Sequence, residues 1–180
     1  MKSTEKTHPT RVFSYCPRCG SPDFPAVSER SFKCGGCGFH FFINAAAAVA
    51  ALIFDEKGRL LVTRRGIEPD KGKTDLPGGF IDPGETAEEA LCRELKEELG
   101  VDVKEMHYLA SAANNYLFSG LSVFTTDLAF RVVPISLEGM SPSDDISSYE
   151  WVNPAEVDPE EIPAPSIRHF IKEIAVHERE

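Results

Sequence analysis

Gly79-Phe80-Ile81-Asp82-Pro83-Gly84-Glu85-Thr86-Ala87-Glu88-Glu89-Ala90-Leu91-Cys92-Arg93-Glu94-Leu95-Lys96-Glu97-Glu98-Leu99-Gly100-Val101 reads as a loop running into one short acidic helix. Thr86 followed three residues later by Glu89 is a capping-box pattern, and Gly100 stands where a left-handed C-terminal cap belongs. Leu91, Leu95 and Leu99 recur every fourth residue and predict a buried stripe. Glu94, Glu97 and Glu98, at i, i+3 and i+4, predict a second face carrying three carboxylates within a few ångströms of one another. Like charges that close repel unless a hard cation lies between them, and oxygen-liganded Mg2+ or Mn2+ suits that need.

A Glu-rich helix is ordinarily a solvated face, and the preceding loop is what argues for more. Leu76 to Glu85 contains three glycines and two prolines, a composition for a fixed irregular loop whose backbone comes close to a ligand. A carbonyl of Gly78 or Gly79 would complete a metal's oxygen shell. The stretch resembles the signature box of the Nudix hydrolases, and every specified position of that pattern is filled. The resemblance implies an α/β fold, an α/β/α sandwich with a mixed sheet, and Mg2+- or Mn2+-dependent hydrolysis of a nucleoside diphosphate linked to another group. By position it makes Glu94 and Glu98 the main metal ligands, with Glu97 sharing an ion or orienting a water. It makes Arg93 and Glu85 an internal ion pair that holds helix and loop in register. Catalytic work is expected from Glu94, Glu97, Arg93 and Glu85. The general base is either a box glutamate or one of Asp144, Asp145 and Glu150 on a later loop.

Cys16-Pro17-Arg18-Cys19-Gly20 and Cys34-Gly35-Gly36-Cys37-Gly38 are two CxxC knuckles separated by fourteen residues. Each supplies two thiolates, so Cys16, Cys19, Cys34 and Cys37 together satisfy a tetrahedral Zn2+ and leave no place for a reacting water. A structural zinc ribbon is expected. Two disulfides are the alternative, disfavoured because no apolar leader is evident, and the same reasoning points to the cytoplasm. Cys92 reads as a small buried residue and His40 as a packing or surface residue.

At 180 residues the chain holds one full core and a small appendage. The expected organisation is an N-terminal arm over 1–14, a zinc ribbon over 15–42 that needs its metal to fold, and a main domain over 43–180. Ala45 to Phe54 is too short to span a membrane, and Asp55-Glu56-Lys57-Gly58 after it signals a hairpin. Strands are expected near 103–112, 121–130 and 149–152, with a short helix starting at Pro154 to Glu156. A last helix is expected from Ser166 to about His177, its Ile167, Phe170, Ile171 and Ile174 stripe serving core or homodimer packing. A formal charge of −10 argues against a general nucleic-acid binder.

A zinc ribbon ahead of a Nudix box resembles the NADH pyrophosphatases, which implies a dinucleotide substrate. The specificity segment of that group, Ser-Gln-Pro-Trp-Pro-Phe-Pro, is replaced here by Ser111-Ala112-Ala113-Asn114-Asn115-Tyr116-Leu117. NADH, ADP-ribose, FAD and other ADP-linked molecules therefore all stand as candidates. Asn115, Tyr116 and Phe118 are the expected base or sugar contacts, with buried sheet aromatics as the alternative. The rival reading is a sensor that binds a nucleotide metabolite and docks a partner through its ribbon.

Overall fold

The computed structural model describes residues 6–68 and 70–178, so the first five residues of the expected arm lie outside the described residues. The chain divides into two compact units, one of residues 1–45 with 115–124, the other of residues 46–114 with 125–180.

The first unit contains a short helix, α1 (Pro9–Val12), and a small antiparallel sheet of β1 (Ala26–Ser28), β2 (Ser31–Lys33) and β3 (His40–Phe42). Its core is slight, with Phe24 and Phe32 stacked at 4.8 Å between ring centroids beside buried Cys16 and Cys34. So few apolar side chains cannot offset the entropy of ordering such a segment, and a metal or similar staple is the usual remedy.

The second unit is built on β4 (Ala46–Leu52), β5 (Leu60–Arg65), β6 (Thr74–Asp75), α2 (Ala87–Leu99), β7 (Val103–Phe118), β8 (Leu121–Pro134) and β9 (Ile146–Val152). The strand orders are β4-β8-β7 and β6-β5-β9, with β4 parallel to β8 and β5 antiparallel to both β6 and β9. β4 reads as a nearly continuous apolar run because both its faces are covered. Val49, Ala51 and Ile53 pack with Leu91, Leu95 and Leu99 of α2, whereas Ala50 and Leu52 pack with Phe170 and Ile171. This is the expected α/β/α sandwich with a mixed sheet. Each fully buried leucine of the α2 stripe contributes roughly 1.5–3 kcal/mol of apolar burial.

The strands β7 and β8 are longer than their apolar patterning suggested, because cross-strand pairing carries them through polar residues. They meet in a two-residue turn, Ser119-Gly120, with φ of 49° and 78°, the double left-handed geometry that suits a hairpin's twist. Pro154 to Glu156 does not start a helix. Asn153 takes the Ala155 N–H on its side chain and the Glu156 N–H on its carbonyl, closing a turn, and the next helical residues are the 3-10 segment Pro159–Glu161. The last helix begins at α3 (Pro165–His169), widens to a π-segment over Phe170–Ile174 and ends in α4 (Ala175–Glu178). Its Ile167, Phe170 and Ile171 are buried in the second core, so that stripe is internal packing.

Candidate active site

The acidic helix α2 is held at both ends as its sequence predicts. Thr86 and Glu89 form the reciprocal capping box, and Gly100 is left-handed at φ 71° with its N–H on the carbonyls of Leu95 and Lys96. Capping fixes the helix in rotation and height, so its carboxylates are presented in a set direction.

The loop ahead of α2 is fastened to β4 by backbone hydrogen bonds, Val49 N–H to Gly79 O at 2.9 Å and Ala51 N–H to Pro77 O at 2.8 Å. Gly78 has φ 137°, and a Cβ there would lie 2.1 Å from the Val49 carbonyl oxygen. A Cβ at Gly79 would lie 2.5 Å from a carboxylate oxygen of Glu94. Two adjacent glycines are thus demanded for different reasons, one by the neighbouring strand and one by an acid.

Arg93 ties the loop to the helix. Its Nε and Nη2 donate to both oxygens of Glu85 at 2.9 Å, and Nη2 also donates to the Phe80 carbonyl at 3.0 Å. The remaining nitrogen, Nη1, donates to Glu94 at 2.7 Å and to Glu97 at 3.2 Å. Arg93's hydrogen bonds hold the Glu85 carboxyl below its ordinary value, and those carboxylates raise the guanidinium in turn.

Glu98 is 6% exposed and accepts the Gly78 N–H at 2.9 Å. Burial pushes its carboxyl up to about 8, with Glu94, Asp75 and Asp144 adding to the rise and the Gly78 N–H opposing it. Glu94 is raised as well, by burial first and by Glu97 and Asp144, against the pull of Arg93. Two carboxylates whose charged forms are disfavoured in this way are groups that a cation would relieve.

The carboxylates of Glu94 and Glu97 meet on one guanidinium nitrogen of Arg93, at 2.7 and 3.2 Å. Glu97 turns to the guanidinium of Arg93, its side chain about half exposed at 49%, while Glu98 turns inward to Gly78. The i, i+3, i+4 spacing fixes where the Cβ atoms sit, and Arg93 decides where the carboxylates go.

Asp144 comes to this site from a distant stretch of chain. Ser141 N–H donates to Leu99 O at 3.2 Å and Ser143 N–H to Glu98 O at 2.8 Å, so the segment caps the open carbonyls at the end of α2. Asp144 itself is left-handed at φ 53°, an uncommon conformation for a residue with a side chain. Glu150 is committed elsewhere, to Arg64 at 2.6 Å, and the Asp145 carbonyl accepts the Gly66 N–H at 2.6 Å.

Sequence reasoning missed Asp75 and Asp127. Asp75 accepts Arg65 at 2.9 Å and the Leu76 N–H at 2.9 Å, and burial still raises its carboxyl. Asp127, 6% exposed, accepts the Ser166 hydroxyl on one oxygen, while its other oxygen and the nearby Thr125 hydroxyl have no partner among the described residues. The available signal was the Thr125-x-Asp127 alternation within β8, just ahead of the apolar Leu128, Ala129 and Phe130, which puts both polar side chains on one strand face.

The first unit carries the thiol cluster. Sγ atoms of Cys16, Cys19, Cys34 and Cys37 all lie within 4.8 Å of one another, and two of the separations are 3.8 and 3.7 Å. A zinc ion with four sulfur ligands at the usual length requires sulfur–sulfur separations of about 3.8 Å, so the donor set fits that ion. The spacing is far too long for disulfides, and all five cysteines are free. Backbone N–H groups of Cys37 and then Gly36 pull the Cys34 thiol down to about 7, against the effect of burial. His40 is exposed, its ring tilted by 33° against that of exposed Phe42 at 4.3 Å, which makes it a surface residue. Cys92 is exposed, contrary to expectation: one residue on from Leu91, it is turned about 100° round the helix and falls at the edge of the leucine stripe instead of within it.

Asn115, Tyr116 and Phe118 occupy the end of β7 and group with the first unit, whereas the box belongs to the second. Tyr116 and Phe118 share one strand face and stack at 6.2 Å, and alternation puts Asn115 on the other face.

A family model described as the NUDIX domain matches residues 44–174. A protein named NAD-capped RNA hydrolase NudC from Deinococcus radiodurans is 30% identical over 131 residues, covering 66% of this chain and 43% of that protein. Its counterpart of the same name from Stutzerimonas stutzeri is 31% identical over 97 residues, covering 54% of this chain and 34% of that protein. The chain thus spans less than half the length of these relatives. In structure it is similar to a NUDIX hydrolase from Nitrosomonas europaea, with TM-score 0.64, 19% identity and 92% of each chain covered. Among the described residues no helix is long and apolar enough to cross a membrane.

Proposed function

Because the chain belongs to the Nudix family, we propose that it hydrolyses the diphosphate bond of a nucleoside diphosphate linked to another moiety, using Mg2+ or Mn2+. The observation that carries this reading is the pair Glu94 and Glu98, two carboxylates raised by burial beside a loop whose glycines bring its backbone against β4 and against Glu94 itself. Glu94 and Glu98 would hold the metal. Gly78 would add its carbonyl, since that of Gly79 is taken by Val49. The bound cation would withdraw charge from the phosphoryl oxygens and lower the pKa of a water.

The chain's own residues supply the rest. Arg93 and Glu85 position Glu94 by locking loop to helix. Glu97, on the solvent side of the same guanidinium, is placed to share a second ion or orient a water. Asp144 is the general base we favour, because its charge reaches both Glu94 and Glu98 while Glu150 is engaged by Arg64.

An ADP-linked substrate such as ADP-ribose, NADH or FAD is supported by two of the similarities. The Deinococcus relative is named for an NAD-capped substrate. The NUDIX domain of Shewanella oneidensis NrtR, TM-score 0.58 and 23% identical over 77% of this chain and 90% of that one, is described in complex with ADP ribose. Tyr116 and Phe118, which share a strand face, are proposed to line the base or sugar pocket, and the four cysteines to hold one structural Zn2+. The ribbon is assigned to residues 15–42 and the catalytic domain to 43–180. Release of two phosphorylated products from each of these substrates, with and without Mg2+, tests the reading. Hydrolysis of none of them would overturn it.

A further inference from the structure

The box leaves unexplained a cavity of about 500 Å³ in the first unit, lined by His8, Ser28, Glu29, Arg30, Ile43 and Phe124 among others. That volume lies within the range of small-molecule sites, roughly 300–1,000 Å³. Its wall combines an aromatic surface with free donors. The rings of His8 and Phe124 are 5.4 Å apart and tilted by 55°. His8 Nδ1 accepts the Thr10 N–H at 3.2 Å, so in the neutral ring the proton sits on Nε2, available as a donor. Arg30 commits its backbone N–H to Ser28 Oγ at 3.3 Å, and its guanidinium has no hydrogen bond or ion pair among the described residues.

Charge is divided unevenly between the two units. Residues 1–45 and 115–124 hold six Lys and Arg against three Asp and Glu, which leaves thirteen basic residues against twenty-six acidic ones for the rest of the chain. One Zn2+ on four thiolates would take two units from the first total and still leave it positive. An anion is therefore favoured in the first unit, whereas the second takes one only where a bound cation reverses the local sign.

We propose that this cavity is a second nucleotide site, which takes a nucleoside 5′-phosphate with its base against Phe124 and its phosphate on Arg30 and His8 Nε2. Aromatic stacking with a guanidinium contact is a combination that binds nucleotides without depending on base identity. The Glu29 carboxylate offers an acceptor for ribose hydroxyls. The phosphate belongs either to a free nucleotide or to one residue of a single strand, and the chemistry of capture is the same for both.

The test is a residue-resolved NMR titration of the intact, zinc-loaded chain with AMP, with inorganic phosphate and with a short oligoadenylate. Binding is read at the amides of Ser28 to Ser31, so occupancy of the box is not counted. AMP should shift those amides saturably, phosphate alone should bind about tenfold more weakly, and Arg30→Ala should weaken AMP by about tenfold. The same variant should hydrolyse a small dinucleotide at the wild-type rate. An oligoadenylate binding more tightly than AMP, with a steep salt dependence, would identify a strand as the source, and equal affinities a free nucleotide. No saturable shift with either ligand, phosphate matching AMP, or unchanged affinity in Arg30→Ala with folding intact would overturn the proposal.

Discussion

Gly78 donates its backbone N–H to Glu98 Oε2 at 2.9 Å, joining the glycine loop to the last turn of the acidic helix across twenty residues of sequence. The contact exists because position 78 has no side chain to collide with β4.

Replacing the two neighbouring glycines should therefore separate fold from chemistry. Gly78→Ala meets strand backbone in a left-handed conformation and should cost about 2 kcal/mol or more in chemical denaturation. Gly79→Ala meets only the movable end of Glu94, so stability should change by about 1 kcal/mol or less while turnover falls tenfold or more. Equal losses of stability in the two variants would contradict this division.

Glu98→Gln keeps the shape of the side chain and removes its charge. Turnover should fall about a hundredfold or more with the circular dichroism spectrum unchanged. Near-normal rates at saturating Mg2+ would remove Glu98 from the proposed metal site.

Stability of the protein without Mg2+ should fall as pH rises. Burial lifts Glu98 to about 8, above the unfolded carboxyl value of about 4.3, so the native state keeps a proton that the unfolded chain has lost between those limits. The stabilisation is complete below the lower limit and gone above the upper. Melting temperature should decline from about pH 5 to about pH 8, and Glu98→Gln should flatten that decline. Calorimetry in two buffers of different ionisation enthalpy should show proton release on Mg2+ binding within the same window; a flat profile in the wild type would refute the linkage.

About one Zn2+ per chain is expected by metal analysis, and Cys34→Ser should lower stability more than it alters the chemical step. Zinc-free preparations with paired thiols would count against the ribbon assignment.

Tyr116→Ala should raise KM for an adenine dinucleotide by the equivalent of roughly 1–3 kcal/mol with a smaller change in kcat, if the ring stacks on the base. A lower melting temperature with KM unchanged would show instead that its contact with Phe118 is structural.

Local chemistry was readable wherever neighbours in sequence decide it. Thr86, Glu89 and Gly100 announce the ends of α2, the leucines announce its buried face, and two CxxC knuckles announce a cluster whose sulfurs all lie within 4.8 Å of one another. What the sequence could not display were approaches made through tertiary contacts. Asp144 reaches the box because Ser141 and Ser143 cap α2 from more than forty residues downstream of its C-terminal turn, and no pattern near Pro142 carries that information. The direction of the Glu97 carboxylate was hidden for a similar reason, since backbone spacing sets a carboxylate's origin and a neighbouring guanidinium sets its end.

The long hairpin has a consequence for how such a protein can be dismantled. Residues 115–124, at its tip, belong to the first unit, where the Ser122 N–H donates to the Thr7 carbonyl at 2.8 Å and the two hydroxyls meet at 2.8 Å. The appendage is therefore discontinuous in the gene. A deletion ending at residue 45 would remove most of it and strand ten residues of the hairpin without their neighbours. Inheritance or loss of the ribbon as a cassette requires a compensating change some seventy codons away.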